Sequence, residues 1–134
     1  MGSGTANAGT GAAPAGPGLV WGTYSPQTLA AARASGHPVF IDFTAAWCLS
    51  CQYNERAVLR SNDVEDALRA HHVELLKADW TKYDPDITKQ LASIGRSGVP
   101  TYVIYPAGAE SVADVLPEFL TKDVVLAAID RDAR

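Results

Sequence analysis

Val39-Phe40-Ile41-Asp42-Phe43-Thr44-Ala45-Ala46-Trp47-Cys48-Leu49-Ser50-Cys51 decides the fold of this chain. Its first five residues are apolar except for Asp42, the pattern of a central strand covered on both faces. Directly after them stand the only two cysteines, spaced Cys-x-x-Cys. A strand that passes through a loop into a helix opening at Cys48 aims the first sulfur at the helix N-terminus, where free N–H groups favour a thiolate. Cys48 is then the exposed attacker in thiol–disulfide exchange, and Cys51, one turn in and deeper, the thiol that resolves the mixed disulfide. The same spacing fits half of a zinc site or a static structural disulfide; the strand-loop-helix setting favours redox chemistry over both. Gln52 stands where a c-type haem site needs histidine, which excludes that group.

Outward from this stretch, helix and strand signals alternate. Ser25-Pro26 opens a helix that continues through Leu29 to Ala34 and stops at Gly36. The cysteine helix is expected over Cys48 to Leu59, and Ser61-Asn62-Asp63 caps a shorter one through Ala70. Val73 to Ala78 reads as the next strand. Asp84-Pro85 caps a helix with Ile87, Leu91 and Ile94 on one face, ended by Gly95. Thr101 to Tyr105 is a strand, residues 106–109 a turn, Ser111 to Leu116 a weaker return strand, and Lys122 to Asp130 a last helix. The order βαβ, then helix, hairpin and helix, specifies an α/β fold with a mixed sheet and helices on both faces.

The 134 residues suffice for one domain with a real core. Apolar residues make up 47% and charged ones 19%, ordinary for a globular chain, and the net charge is −4 with its 11 Lys and Arg scattered. Nucleic acid and anionic membrane surfaces are therefore not expected as partners. No apolar run approaches the roughly 20 residues of a spanning helix, and no signal-peptide pattern opens the chain. Residues 1–18 hold Gly, Ala, Thr, Pro, Ser and Asn with nothing to bury, so they are expected to stay disordered as a tag or linker. Met1-Gly2-Ser3-Gly4 has the look of a cloning remnant, and the stretch after it reads either as a tether from a longer protein or as an added tail. The domain itself is assigned to residues 19–134.

At this point the chain resembles the thioredoxin superfamily, from about Leu19 to Asp130. The Asp42-Phe43 strand, Trp47-Cys48-Leu49-Ser50-Cys51 and Gly98-Val99-Pro100-Thr101 carry the likeness. Within that superfamily, Ala78-Asp79-Trp80-Thr81, Asp84-Pro85, Ile87-Thr88, Gly95-Arg96-Ser97-Gly98-Val99-Pro100 and Leu116 to Thr121 look like the C-terminal periplasmic domain of DsbD/ScsB-type transmembrane thiol reductases. The resemblance implies a thioredoxin fold with a cis-proline loop, Val99-Pro100, facing the Cys-x-x-Cys helix. It implies electrons taken from a membrane-embedded domain of the same full-length protein and passed to periplasmic thiol–disulfide proteins. It implies a periplasmic domain tethered to the inner membrane. No cofactor or metal beyond the redox-active Cys48–Cys51 pair is expected, and the chemistry requires no second copy. Leu49-Ser50 replaces the Gly-Pro of ordinary thioredoxin, and Gln52 its Lys, which argues against a general thioredoxin role.

Two acids complete the expected site. A carboxylate in a buried strand costs several kcal/mol if charged and unpaired, so the Asp42 pKa rises unless a partner is found. Asp42 is either a satisfied core acid, paired with Lys77 on the neighbouring strand, or, as the resemblance implies, the base that takes the Cys51 proton during resolution. Glu55, four residues after Cys51, shares its helical stripe. It is either a solvated surface acid or, by the same resemblance, the partner of Asp42 near the sulfurs. Two carboxylates near Cys48 oppose its ionisation, remove a source of stability from the reduced form and make the pair a better electron donor.

Trp47, Leu49, Val99 and Pro100 are the expected partner-binding residues. Val99 offers backbone to an extended segment of the partner, and Trp47 and Leu49 offer apolar contact; their alternatives are a core tryptophan and an incidental surface leucine. Trp80 and Tyr83 read as loop packing and Arg96 as solvated. His71 and His72, adjacent at a helix end, point apart, unlike zinc ligands three to five residues apart, and are expected on the surface. The rival functions are a disulfide isomerase or oxidase of the same fold, and a binding module whose dithiol holds Cu(I) or Zn(II).

Overall fold

The computed structural model describes residues 19–133; the expected disordered stretch 1–18 lies outside them. β2 (Val39–Thr44) is buried at all six positions, as the apolar run requires, and lies at the centre of a five-stranded mixed sheet of order β1-β3-β2-β4-β5. β1 (Gly22–Thr23) and β2 both run parallel to β3 (Glu74–Asp79). β4 (Thr101–Tyr105) is antiparallel to β2, and β5 (Asp114–Val115) is antiparallel to β4. This is the α/β thioredoxin fold that the motif order implies.

Alternation along β2 divides the core in two. Val39, Ile41 and Phe43 pack with Leu29 and Ala32 of α1 (Pro26–Ala34) and with Ile87 and Leu91 of α4 (Pro85–Ser93). Phe40, on the other face, packs with Val64 and Leu68 of α3 (Asn62–Ala70) and with Val125, Ala128 and Ile129 of α5 (Lys122–Asp132). Asp42 is the one β2 carboxylate on that second face, and it is almost fully buried.

The helix starts follow the sequence. Ser25 Oγ accepts from the Thr28 N–H at 3.0 Å while Thr28 Oγ1 accepts from the Ser25 N–H at 2.7 Å, a reciprocal capping box. Asp84, Ser61 and Thr121 cap α4, α3 and α5 more simply, each side chain accepting from backbone N–H groups of the first turn and contributing about 1 kcal/mol.

Five elements differ from expectation. β1, two residues long, carries no periodic signal and exists by pairing with Leu76 and Lys77. The return strand expected over Ser111 to Leu116 shrinks to Asp114–Val115 because Ser111 is tied elsewhere: its Oγ donates to Pro106 O at 2.6 Å and its carbonyl accepts from Arg33. β3 begins at Glu74 instead of Val73, and α5 runs on to Asp132. The helix expected from Cys48 to Leu59 is α2 (Leu49–Asn54) followed by a wider turn over Glu55–Leu59. There the Arg60 N–H reaches the Glu55 carbonyl at 2.9 Å, the i to i−5 bond of a π-helix, and both Val58 and Leu59 are buried.

Candidate active site

β2 delivers the chain through Ala45 and Ala46 to Cys48, which is the N-cap of α2. Cys48 and Cys51 form a disulfide with Cα atoms 5.3 Å apart, and Cys48 Sγ accepts from the Cys51 N–H at 3.2 Å. Ser50 Oγ lies 3.6 Å from the same sulfur. After reduction these donors face whatever charge Cys48 develops, which is how a helix start favours a thiolate. The expected exposure of Cys48 is corrected: it is 7% exposed, against 2% for Cys51. Ala45 and Val99 pack against both cysteines and close off their sides. The Val99–Pro100 bond is cis, and Pro100 is buried. The proline loop therefore meets the Cys-x-x-Cys helix directly.

The acids lie one layer below. In the sheet register Asp42 stands between Lys77 on β3 and Tyr102 on β4, three side chains in a row on the face covered by α2 and the wide turn. The helix closes over that row: Asn54 Nδ2 donates to Tyr102 Oη at 3.0 Å, and Lys77 Nζ donates to Glu55 Oε2 at 3.1 Å. Cys51, three and four residues before Asn54 and Glu55, starts the same helical stripe. Burial pushes the Asp42 pKa up to about 7, with Lys77 pulling down and Glu55 pushing up as smaller effects.

Two expectations change here. The structural alternative for Asp42 paired it with Lys77, yet the ammonium of Lys77 is hydrogen-bonded to Glu55, so Asp42 feels it only through the field. Glu55 is not a solvated surface acid, because its side chain is 22% exposed and ion-paired. With Glu55 compensated by Lys77 and Asp42 partly protonated near neutral pH, the site holds less negative charge than two bare carboxylates would.

A cleft of about 260 Å3 reaches Asp42 between Glu55, Lys77, Trp21 and Leu19. It gives the buried acid a passage toward solvent. Sequence reasoning missed Trp21, Asn54 and Tyr102 as surroundings of this acid. The i+3 spacing of Asn54 from Cys51 is the one signal that pointed there.

Beside Cys48 the surface is aromatic. Trp47 is half-exposed, so the core alternative does not hold; its Nε1 donates to Thr81 O at 3.1 Å. Thr81 Oγ1 accepts from the Ala46 N–H at 2.8 Å and donates to Asp79. That hydroxyl bond is the main cause of a lowered Asp79 pKa. Trp47, Trp80 and Tyr83 form a ring cluster, with Tyr83 stacked at 28° on Trp47. Trp80 is loop packing as expected, its Nε1 bonded to Thr88 Oγ1 at 2.8 Å. Arg96 is not solvated but donates to Glu118 at 2.8 Å and to Leu116 O at 3.3 Å. Nor is His71 a free surface residue: its Nδ1 lies 2.7 Å from Ala133 O. Among the described residues no group of three or more His, Cys, Asp or Glu is arranged to hold a metal ion.

A disulfide at the start of a helix, met by a cis-proline loop on a five-stranded mixed sheet, defines a thiol:disulfide oxidoreductase of thioredoxin fold. The chain belongs to the thioredoxin-like family, whose model matches residues 20–107. It is 36% identical over 86 residues, 64% of its own length, to the thiol:disulfide interchange protein DsbD of Vibrio cholerae. It is 31% identical over 105 residues, 78% of its length, to DsbD of Ralstonia nicotianae. The chain spans 14% and 17% of the lengths of these two relatives. In structure it is similar to the C-terminal domain of Neisseria meningitidis DsbD in its oxidised form, with TM-score 0.68 and 20% identity over 84% of this chain and 99% of that one. At that identity the likeness establishes the fold.

Proposed function

We propose that this domain is a protein-disulfide reductase, receiving electrons from a membrane-embedded domain of a longer protein and passing them to periplasmic disulfide proteins. The observation that carries the proposal is the Cys48–Cys51 disulfide at the α2 start, with Val99 of the cis Val99–Pro100 bond packed against it. Its likeness to the thiol:disulfide interchange protein DsbD, of which it spans 14%, supports exchange chemistry within a longer protein. Among the described residues no helix is long and apolar enough to cross a membrane, so the proposal places the donor domain outside this segment.

The chemistry balances on sulfur alone. The reduced Cys48 thiolate attacks one sulfur of the acceptor disulfide; a Cys48–acceptor bond forms, the acceptor S–S bond breaks, and one acceptor thiolate leaves. Cys51 then gives its proton to the Asp42 carboxylate and attacks Cys48 Sγ. The mixed disulfide breaks, the second acceptor thiolate leaves, and the two thiolates take up protons. Two electrons and two protons have moved, and no cofactor, metal or second copy of the chain is needed. With a pKa of about 7, Asp42 is matched to accepting a proton near neutral pH and returning it through the cleft.

Reduction of insulin by dithiothreitol tests the assignment: this protein accelerates it and Cys48→Ser does not. An uncatalysed rate with the native protein would contradict it. Glu55 is proposed to act through charge. In Glu55→Gln the site loses one negative charge and Lys77 is left to Asp42, so both the Asp42 titration and the pH midpoint of Cys48 alkylation fall. The shift is on the order of one pH unit for a charge change at this range. An unmoved alkylation midpoint would remove Glu55 from the account.

A further inference from the structure

The loop beside Cys48 holds a residue in a conformation its type disfavours. Tyr83 has φ 57°, the left-handed region that glycine and asparagine enter readily and a bulky aromatic residue does not. Its neighbours explain how the loop is anchored but not why tyrosine stands there. Upstream, Asp79 holds Thr81; downstream, Asp84 caps α4; the Tyr83 N–H donates to Trp80 O at 2.9 Å. Any residue could make that backbone bond. Nor does burial account for the side chain, which is 59% exposed.

What the strained backbone achieves is the placement of a ring. Tyr83 lies edge-on to Trp80 at 4.9 Å and nearly parallel to Trp47 at 5.8 Å. Trp47 is covalently joined to Cys48 and is pinned by Thr81 O. With Leu49, 84% exposed on the other side of Cys48 in sequence, Trp47 and Tyr83 make an apolar rim at the reactive sulfur.

We propose that Tyr83 is a specificity-determining residue, whose ring with Trp47 and Leu49 selects acceptor disulfides set in apolar extended segments. The inference rests on the reductase reading above. That chemistry fixes the occupant, because Cys48 is almost buried and must still come within bonding distance of an acceptor sulfur, so the acceptor residues flanking that sulfur pass over the rim. An apolar flank loses water there at a gain; an acidic flank is desolvated against ring faces whose negative charge distribution repels it.

Stopped-flow mixing of pre-reduced protein with three disulfides tests this: a bridged peptide with leucines flanking its cysteines, the same peptide with aspartates there, and hydroxyethyl disulfide. Tyr83→Asn deletes the ring and suits the left-handed backbone; Tyr83→Phe keeps the ring. The expected result is about a tenfold loss in rate constant for the leucine peptide with Tyr83→Asn, the scale of truncating an interface aromatic. The aspartate peptide and hydroxyethyl disulfide stay within about twofold, and Tyr83→Phe matches the native protein throughout. An equal loss on all three disulfides, or none on the leucine peptide, would overturn the role of Tyr83. A native protein that reduces none of the three would overturn the reductase reading and this inference with it.

Discussion

Cys51→Ser, reduced and mixed with a disulfide-containing acceptor, accumulates a covalent complex that Cys48→Ser does not form. The first attack needs only Cys48, whose sulfur sits at the α2 N-cap beside the Cys51 N–H and Ser50 Oγ. The second needs a thiol one helical turn away, and serine cannot supply it. Non-reducing electrophoresis of the mixture should show the complex approaching one per chain for Cys51→Ser, its release by dithiothreitol, and no such band for Cys48→Ser. Turnover falls to the uncatalysed background in both variants. A complex formed by Cys48→Ser would reverse the roles of the two sulfurs.

Asp42→Asn should stabilise the oxidised protein at pH 8 while slowing its catalytic cycle. Burial raises the folded pKa of Asp42 from an ordinary 3.8 to about 7. Well below pH 3.8 the carboxyl is protonated folded and unfolded alike, and nothing is lost. As the pH climbs toward 7 the unfolded chain ionises first, so stability drains away and levels off once the folded group has ionised too. The loss across that window is on the order of 4 kcal/mol as an upper figure. Asparagine does not ionise, so the variant lacks this component and should lose less stability from pH 4 to 8 than the native protein does. Urea unfolding at both ends of the window measures the difference. Parallel stability curves would show that Asp42 is not held protonated by its burial. The same substitution removes the acceptor for the Cys51 proton, and resolution of the mixed disulfide should slow by about 100-fold, the lower range of general-base effects. Higher stability at alkaline pH together with slower turnover is the signature of a group retained for chemistry at a cost to the fold.

The frame of the site was legible in the sequence wherever local chemistry determines it. Val39 to Phe43 reads as a buried strand because its side chains are apolar on both faces, and Ser25, Ser61 and Asp84 start helices because their side chains answer orphan N–H groups. The cis bond before Pro100 was legible only through the superfamily likeness, since nothing local distinguishes it from a trans one. What stayed hidden depends on distant partners. Glu55 reads as either exposed or buried until Lys77, 22 residues on, is seen to take it. Asn54 looks like an ordinary helix residue until Tyr102 meets it from β4. The wide turn over Glu55–Leu59 contains neither glycine nor proline to announce it, and Cys48 is covered by Val99, more than fifty residues later in the chain. Tyr83 carries no sequence sign of its left-handed backbone, because tyrosine is among the residues least expected there.

The direction in which Cys48–Cys51 moves electrons separates a reductase from an oxidase, and the equilibrium reduction potential of the pair measures it. Redox titration against dithiothreitol and glutathione buffers should place the couple at or below the roughly −270 mV of thioredoxin. A potential near about −120 mV, that of a strong dithiol oxidant, would contradict it.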